Sequence, residues 1–120
     1  MAKLLIVDDD RDVCRLVGLL LQFEGHQATW LTDGEAALRF LEEQQPNLVL
    51  LDIMMPGLDG IEVLRQIRTN PRLRDVKVVM YTAVSDATMH HEAENLGAAG
   101  YVLKGAAWAS TYSELQRHLN

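Results

Sequence analysis

Five short apolar runs, each followed by a stretch with helical spacing, constrain this chain more than any other feature. The runs are Leu4–Val7, a weaker one at Ala28–Leu31, Leu48–Leu51, Val76–Tyr81 interrupted by Lys77, and Tyr101–Leu103. Runs this short, bounded by acids, Gly or Pro, predict strands. The first and third are apolar at every position, the pattern of parallel strands covered on both faces.

Between them, Val13, Leu16, Val17 and Leu20 predict one helical stripe, Ala37, Leu38 and Leu41 a second, Ile61, Leu64 and Ile67 a third. Trp108, Tyr112, Leu115 and Leu119 predict another, and a helix over 85–96 carries only a thin stripe. Thr32 with Glu35, and Asp59 with Glu62, have the spacing of capping boxes. Gly25, Gly97 and Pro71 fall where helices would stop. Alternation of this kind predicts an α/β fold, a parallel sheet with helices on both faces. No linker, repeat or charge block divides residues 1–120, so one domain is expected.

Composition narrows the class. The formal charge of −6 argues against direct nucleic-acid binding and against an anionic membrane surface. The first apolar run is only four residues long, too short for a signal peptide or a membrane span. One cysteine, Cys14, excludes an internal disulfide, and a cytoplasmic protein is expected. Cys14 itself reads as a small residue on or beside the packed face of the first helix.

In an open parallel sheet, sites lie beyond the carboxyl ends of the strands. The residues standing there are Asp8, Asp9 and Asp10 after the first run, Asp52 after the third, Thr82 after the fourth and Lys104 after the fifth. Clustered carboxylates repel, and a hard cation such as Mg²⁺ relieves them while keeping coordination sites for phosphate. A hydroxyl and an ammonium beside them supply donors for phosphoryl oxygens. An Asp in that setting can itself attack phosphorus. Asp10 and Asp12 read as acids of a helix N-terminus. Adjacent His90 and His91 point about 100° apart on a helix, so they cannot share a metal. His26 and His118 read as isolated surface residues, and Met54 and Met55 side chains as loop packing. Pro56, Gly57 and Gly60 read as turn chemistry, because neither phosphate-loop nor dinucleotide spacing is present.

The motifs LLIVDDD at 4–10, TDGEAAL at 32–38, LVLLDIMMPGLDG at 48–60, VVMYTA at 78–83 and GAAGYVLKG at 97–105 occur in order. In that arrangement the sequence resembles the receiver domain of bacterial two-component response regulators from Lys3 to Leu119. The resemblance implies a flavodoxin-like doubly wound (βα)5 sheet with strand order 2-1-3-4-5. It implies that Asp52 accepts a phosphoryl group from a histidine kinase's phosphohistidine, from a phosphotransfer protein or from a small acyl phosphate. Asp9 is then the direct Mg²⁺ ligand (Mn²⁺ being the alternative ion), Asp8 helps through water, and the Met54 backbone carbonyl adds a ligand beside Asp52. Thr82 becomes the switch hydroxyl, Lys104 the phosphoryl-contacting ammonium and Tyr101 an aromatic that swings inward on activation.

Such a chain is a switch that promotes its own phosphorylation and dephosphorylation rather than an enzyme acting on an outside substrate. Its responding surface, the face of the fourth helix, fifth strand and fifth helix, spans roughly residues 89–119. A monomer or a phosphorylation-promoted dimer is expected. Two rivals stand beside it. A haloacid-dehalogenase-like phosphatase also uses an Asp after the first strand, yet Asp12 stands where it needs Thr or Val, and no acidic pair follows Lys104. A receiver-like interaction module independent of phosphorylation draws on one departure. Gly105 follows Lys104 where the family usually has Pro after a cis bond. A non-proline cis bond costs about 3 kcal/mol, so a trans peptide or a rebuilt loop is expected. Met54 and Val84, two residues past Asp52 and Thr82, cannot orient an attacking water, so a long-lived phosphoryl state is expected.

Overall fold

The computed structural model describes residues 1–119. Strands β1 (Lys3–Val7), β2 (Gln27–Leu31), β3 (Leu48–Leu51), β4 (Val78–Thr82) and β5 (Gly100–Leu103) alternate with helices α1 (Arg11–Phe23), α2 (Gly34–Glu43), α3 (Gly60–Thr69), α4 (Ala87–Asn95) and α5 (Trp108–Gln116). All strand pairs are parallel, and the sheet order is β2-β1-β3-β4-β5. The predicted fold class and strand order are therefore observed.

Alternation within each strand explains the unbroken apolar runs. Leu5, Val7, Val49, Leu51, Val78 and Met80 enter one core with Ala37 and Leu41 of α2, Ile61, Leu64 and Ile67 of α3, and Ala93 of α4. Leu4, Ile6, Leu48, Leu50 and Val79 enter the other with Cys14, Val17 and Leu21 of α1 and Leu115 of α5. Successive side chains of a strand point to opposite faces, so a strand covered on both sides must be apolar throughout.

Several local expectations need correction. Helix α1 buries Cys14, Val17, Gly18 and Leu21 and leaves Leu16 59% exposed, so its core face is rotated from the predicted stripe. Asp33, not Thr32, caps α2, accepting the Ala36 N–H at 2.7 Å. Both are good caps, and the helix starting at Gly34 selects the acid directly before it. The Asp59 cap of α3 is as predicted, its carboxylate accepting the Glu62 N–H. Strand β4 begins at Val78 and runs through Thr82, two residues beyond the predicted start. Helix α4 buries Ala93 alone, in keeping with its thin stripe. His26 is half-buried rather than a free surface residue: Nδ1 accepts the Ala2 N–H, and Nε2 lies 2.7 Å from the Tyr112 hydroxyl. His118 is half-buried too, against Gly100. Among the described residues no helix is long and apolar enough to cross a membrane.

Candidate phosphoacceptor site

The hydrogen-bond ladder of the sheet carries straight into the site. The Asp8 N–H donates to the Leu31 carbonyl, the Asp52 N–H to Val7 and the Lys104 N–H to Thr82. Each residue is the first beyond its strand, and its backbone is held by the neighbouring strand. The side chains therefore meet at one sheet edge without depending on long loops.

There the carboxylate oxygens of Asp8, Asp9 and Asp52 lie within 4.8 Å of one another. Asp8 and Asp52 are buried and Asp9 is exposed. The Lys104 ammonium stands 2.6 Å from Asp8 Oδ2 and 3.2 Å from Asp52 Oδ2. It donates a hydrogen bond to Asp52 and forms its shorter ion pair with Asp8. The remaining oxygens are bound locally, Asp8 Oδ1 by the Asp10 N–H and Asp52 Oδ1 by the Ile53 N–H.

Burial pushes the Asp8 carboxyl above its ordinary value; contacts from Lys104 and the Asp10 N–H oppose this, and the Asp52 charge adds to it. Burial acts to lower the Lys104 ammonium, but the contact with Asp8 and the charges of Asp52 and Asp8 outweigh it, leaving Lys104 above its ordinary value. Three carboxylates whose oxygens converge within 4.8 Å fit a hard divalent cation that takes oxygen ligands.

Thr82 is fully buried at the end of β4, and its Oγ1 accepts the Val84 N–H at 3.2 Å, leaving the hydroxyl proton free to be donated. Met54 lies in the loop after Asp52 with its side chain 65% exposed, so it is not packed as expected, whereas Met55 is buried. Tyr101 stands apart from the carboxylates, its hydroxyl donating to the Val84 carbonyl at 2.6 Å. Asp10 proves structural, capping α1 by accepting the Asp12 and Val13 N–H groups.

Sequence reasoning missed three supports. Gly60 opens α3 directly against the site: a Cβ there would lie 2.0 Å from the Asp52 carbonyl oxygen, so turn chemistry understates its role. The Cys14 thiol donates to the Asp8 carbonyl at 3.3 Å. Val84 contributes its peptide, which joins Thr82 to Tyr101. A glycine after Asp-containing loop residues hints at the first, whereas the other two depend on packing alone. After Lys104 every described peptide bond is trans and Gly105 has φ +99°, which proline cannot adopt. The loop is rebuilt around glycine, as expected.

The model of the response regulator receiver domain matches residues 4–115. The chain belongs to this family. A receiver domain is a phosphorylation-dependent switch within two-component signalling, and receiver domains are not classed as enzymes. Among solved structures, the BeF3-activated N-terminal receiver domain of RstA from Klebsiella pneumoniae shares 30% identity over 98% of each chain, with TM-score 0.90. The chemotaxis protein CheY4 of Vibrio cholerae shares 27% over 99% of each, with TM-score 0.91. The DNA-binding response regulator MtrA of Mycolicibacterium smegmatis is 37% identical over 85% of this chain and 43% of its own length. A probable transcriptional regulator, ycf27, of Porphyridium aerugineum is 37% identical over 85% of this chain and 41% of its own. This receiver domain thus spans about two fifths of the length of those curated relatives.

Proposed function

We propose that Asp52 is the phosphoacceptor of this receiver domain, taking a phosphoryl group from a histidine kinase, a phosphotransfer protein or a small acyl phosphate. The observation that carries the proposal is the meeting of Asp8, Asp9 and Asp52 within 4.8 Å, with the Lys104 ammonium against Asp8 and Asp52. The Asp52 carboxylate attacks phosphorus, a P–O bond forms, and the P–N bond of phosphohistidine, or the P–O bond of an acyl phosphate, breaks. Lys104 and the Thr82 hydroxyl donate to the phosphoryl oxygens as charge moves onto them. Asp8, Asp9, Asp52 and the Met54 carbonyl would hold Mg²⁺ or Mn²⁺, which supplies charge neutralisation for the incoming phosphoryl group. The same residues serve the domain's own phosphorylation and dephosphorylation.

Added phosphate brings about −1.5 to −2 charge and three acceptor oxygens. Drawing Thr82 towards them moves the Val84 peptide and with it Tyr101, so the switch is read on the α4-β5-α5 face by a downstream target. Residues 1–120 act as one domain in the cytoplasm, with no nucleic acid or membrane bound by the domain itself. The test is incubation with Mg²⁺ and acetyl phosphate followed by intact mass measurement. One phosphoryl group is expected on the wild type and none on Asp52→Asn. No adduct on the wild type favours an interaction module independent of phosphorylation, and sustained release of phosphate from organic monoesters favours a phosphatase.

A further inference from the structure

Helix α4 is seated lightly. It buries only Ala93, with Met89 and Leu96 half-buried against the core, and Arg65 of α3 reaches Glu92 at 2.9 Å across an exposed surface. An element with so few buried apolar contacts sits at the low end of local stability. Against this background one contact stands out. The His90 ring lies flat on the Tyr101 ring, centroids 4.3 Å apart and planes inclined by 18°. Beside the pair a cavity of about 130 Å³, lined by Ala93, Glu94, Ala98 and both rings, leaves room for the rings to re-seat.

Tyr101 is in turn tied to the phosphoacceptor site by one peptide group. The Val84 N–H donates to Thr82 Oγ1 at 3.2 Å, and the Val84 carbonyl accepts the Tyr101 hydroxyl at 2.6 Å. A displacement of the buried Thr82 hydroxyl therefore reaches the tyrosine ring through a continuous set of polar contacts. The ring's large flat neighbour on α4 is His90, whose side chain is 49% exposed on its other side and lies 3.6 Å from Glu94.

We propose that His90 is the positioning residue through which α4 senses Tyr101: the stacked imidazole converts movement of the tyrosine ring into movement of the helix. This rests on the reading of Asp52 as phosphoacceptor and of Thr82 as the hydroxyl that responds. A stacked aromatic pair biases a two-state equilibrium by roughly two- to twelvefold, enough to set whether a weakly held helix follows its neighbour. His90 touches neither the carboxylates nor the incoming phosphoryl group, so its removal leaves the chemistry intact.

The experiment uses the full chain carrying 3-fluorotyrosine, with the three tyrosines assigned by single Phe substitutions, and ¹⁵N amide spectra of α4. Spectra are taken before and after phosphorylation by acetyl phosphate with Mg²⁺, and intact mass measures the adduct. In the wild type the Tyr101 fluorine signal and the α4 amides shift together. His90→Ala is expected to lose the ring-current displacement of Tyr101 at rest and to change the α4 two-state equilibrium constant by roughly two- to twelvefold, read as a smaller α4 amide response. Its phosphoryl uptake stays unchanged, and His90→Phe restores the α4 response. An α4 response unaltered in His90→Ala, with adduct and Tyr101 shift both present, overturns this inference alone. The inference also falls if His90→Phe behaves as His90→Ala does. No adduct on the wild type, or an adduct with an unmoved Tyr101, overturns the receiver-switch reading and this inference with it.

Discussion

Replacing Gly60 by Ala tests whether the site is positioned by the backbone contact between α3 and the end of β3. A Cβ at position 60 would lie 2.0 Å from the Asp52 carbonyl oxygen and 2.8 Å from both the Asp52 carbonyl carbon and the Ile53 Cα. Carbon atoms at their optimum are about 3.5–4.0 Å apart, so the two segments must separate by about 1 Å. No flexible side chain is available to yield, because all three atoms belong to backbone. Overpacking of this kind costs about 1–3 kcal/mol. The separation also stretches the Gly60 N–H bond to the Ile53 carbonyl, now 2.8 Å, worth a further ~1 kcal/mol. Alanine's better helix propensity returns at most about 1 kcal/mol. The net loss is about 2 kcal/mol, equivalent to a fall of roughly 8 °C in melting temperature for a domain of this size.

Gly18→Ala is the matched control. Its Cβ would meet Trp30 and Ile6 side chains at 3.8 and 3.9 Å, which is ordinary contact, so in the middle of α1 it should stabilise by about 0.5–1 kcal/mol. Urea unfolding followed by circular dichroism measures both. The second readout is the rate of phosphoryl uptake from acetyl phosphate, expected to fall by up to about 100-fold in Gly60→Ala as Asp52 is displaced. Two results refute the reasoning: a wild-type unfolding midpoint, or a destabilised variant that takes up phosphate at the wild-type rate.

Asp8 sets a pH dependence. Its folded-state value is raised, so without metal its unfavourable contribution is full above that value and gone below its ordinary 3.8. In EDTA, stability should therefore fall as pH rises through this window; added Mg²⁺ should recover the loss above it and have no effect below it. Asp8→Asn should flatten the difference between melting curves taken with and without Mg²⁺. Cys14 is fully buried and its thiol is pushed up to about 11, chiefly by burial and then by the charges of Asp8 and Asp10. Iodoacetamide at pH 8 should leave the folded protein unlabelled and react in urea, as mass spectrometry would show. Met54 presents an exposed thioether where a polar side chain could orient water. Met54→Asn should lose its phosphoryl group faster than the wild type, and a slower loss in timed mass spectra would contradict this.

How far the sequence predicts the molecule follows from which forces act on each residue. Positions of the central strands are dictated by burial on two faces, which leaves unbroken apolar runs, so the parallel sheet could be anticipated from pattern, whereas its order came only with the family resemblance. The site residues could be anticipated for the same reason. Asp8, Asp52 and Lys104 each directly follow an apolar run, where the ladder of the next strand fixes them. The core face of α1 could not, because Leu16 and Leu20 share the helical period of Val17 and Leu21, and Gly18 and Cys14 carry little apolar signal. His26 shows the same limit: its partners, Ala2 and Tyr112, lie 24 and 86 residues away, and nothing local marks the meeting. Gly60 was misread as a turn residue because a close backbone approach and a turn both call for glycine.

The acidic excess also divides into two physical uses that composition merges. Asp10, Asp33, Asp59 and Asp86 cap α1 to α4, each accepting backbone N–H groups of a first turn. These charges are exposed and stabilise the helices they precede. Asp8, Asp9 and Asp52 instead repel one another at the sheet edge, with Lys104 paired to the two buried ones, Asp8 and Asp52. Charges that stabilise the fold at the caps are here gathered against their own repulsion, and the Asp8 carboxyl is raised chiefly by burial, with the Asp52 charge adding to it. An unfavourable cluster responds strongly to any new charge placed in it. On the proposed reading, a divalent cation would relieve it, and a phosphoryl group would then re-partition Lys104 between Asp8 and the new oxygens. The 2.6 Å contact of Lys104 with Asp8, shorter than its 3.2 Å contact with Asp52, places the ammonium closer to Asp8 than to the proposed phosphoacceptor. On the same reading, phosphoryl transfer to Asp52 would draw this cation across the site, and the movement would begin with Lys104.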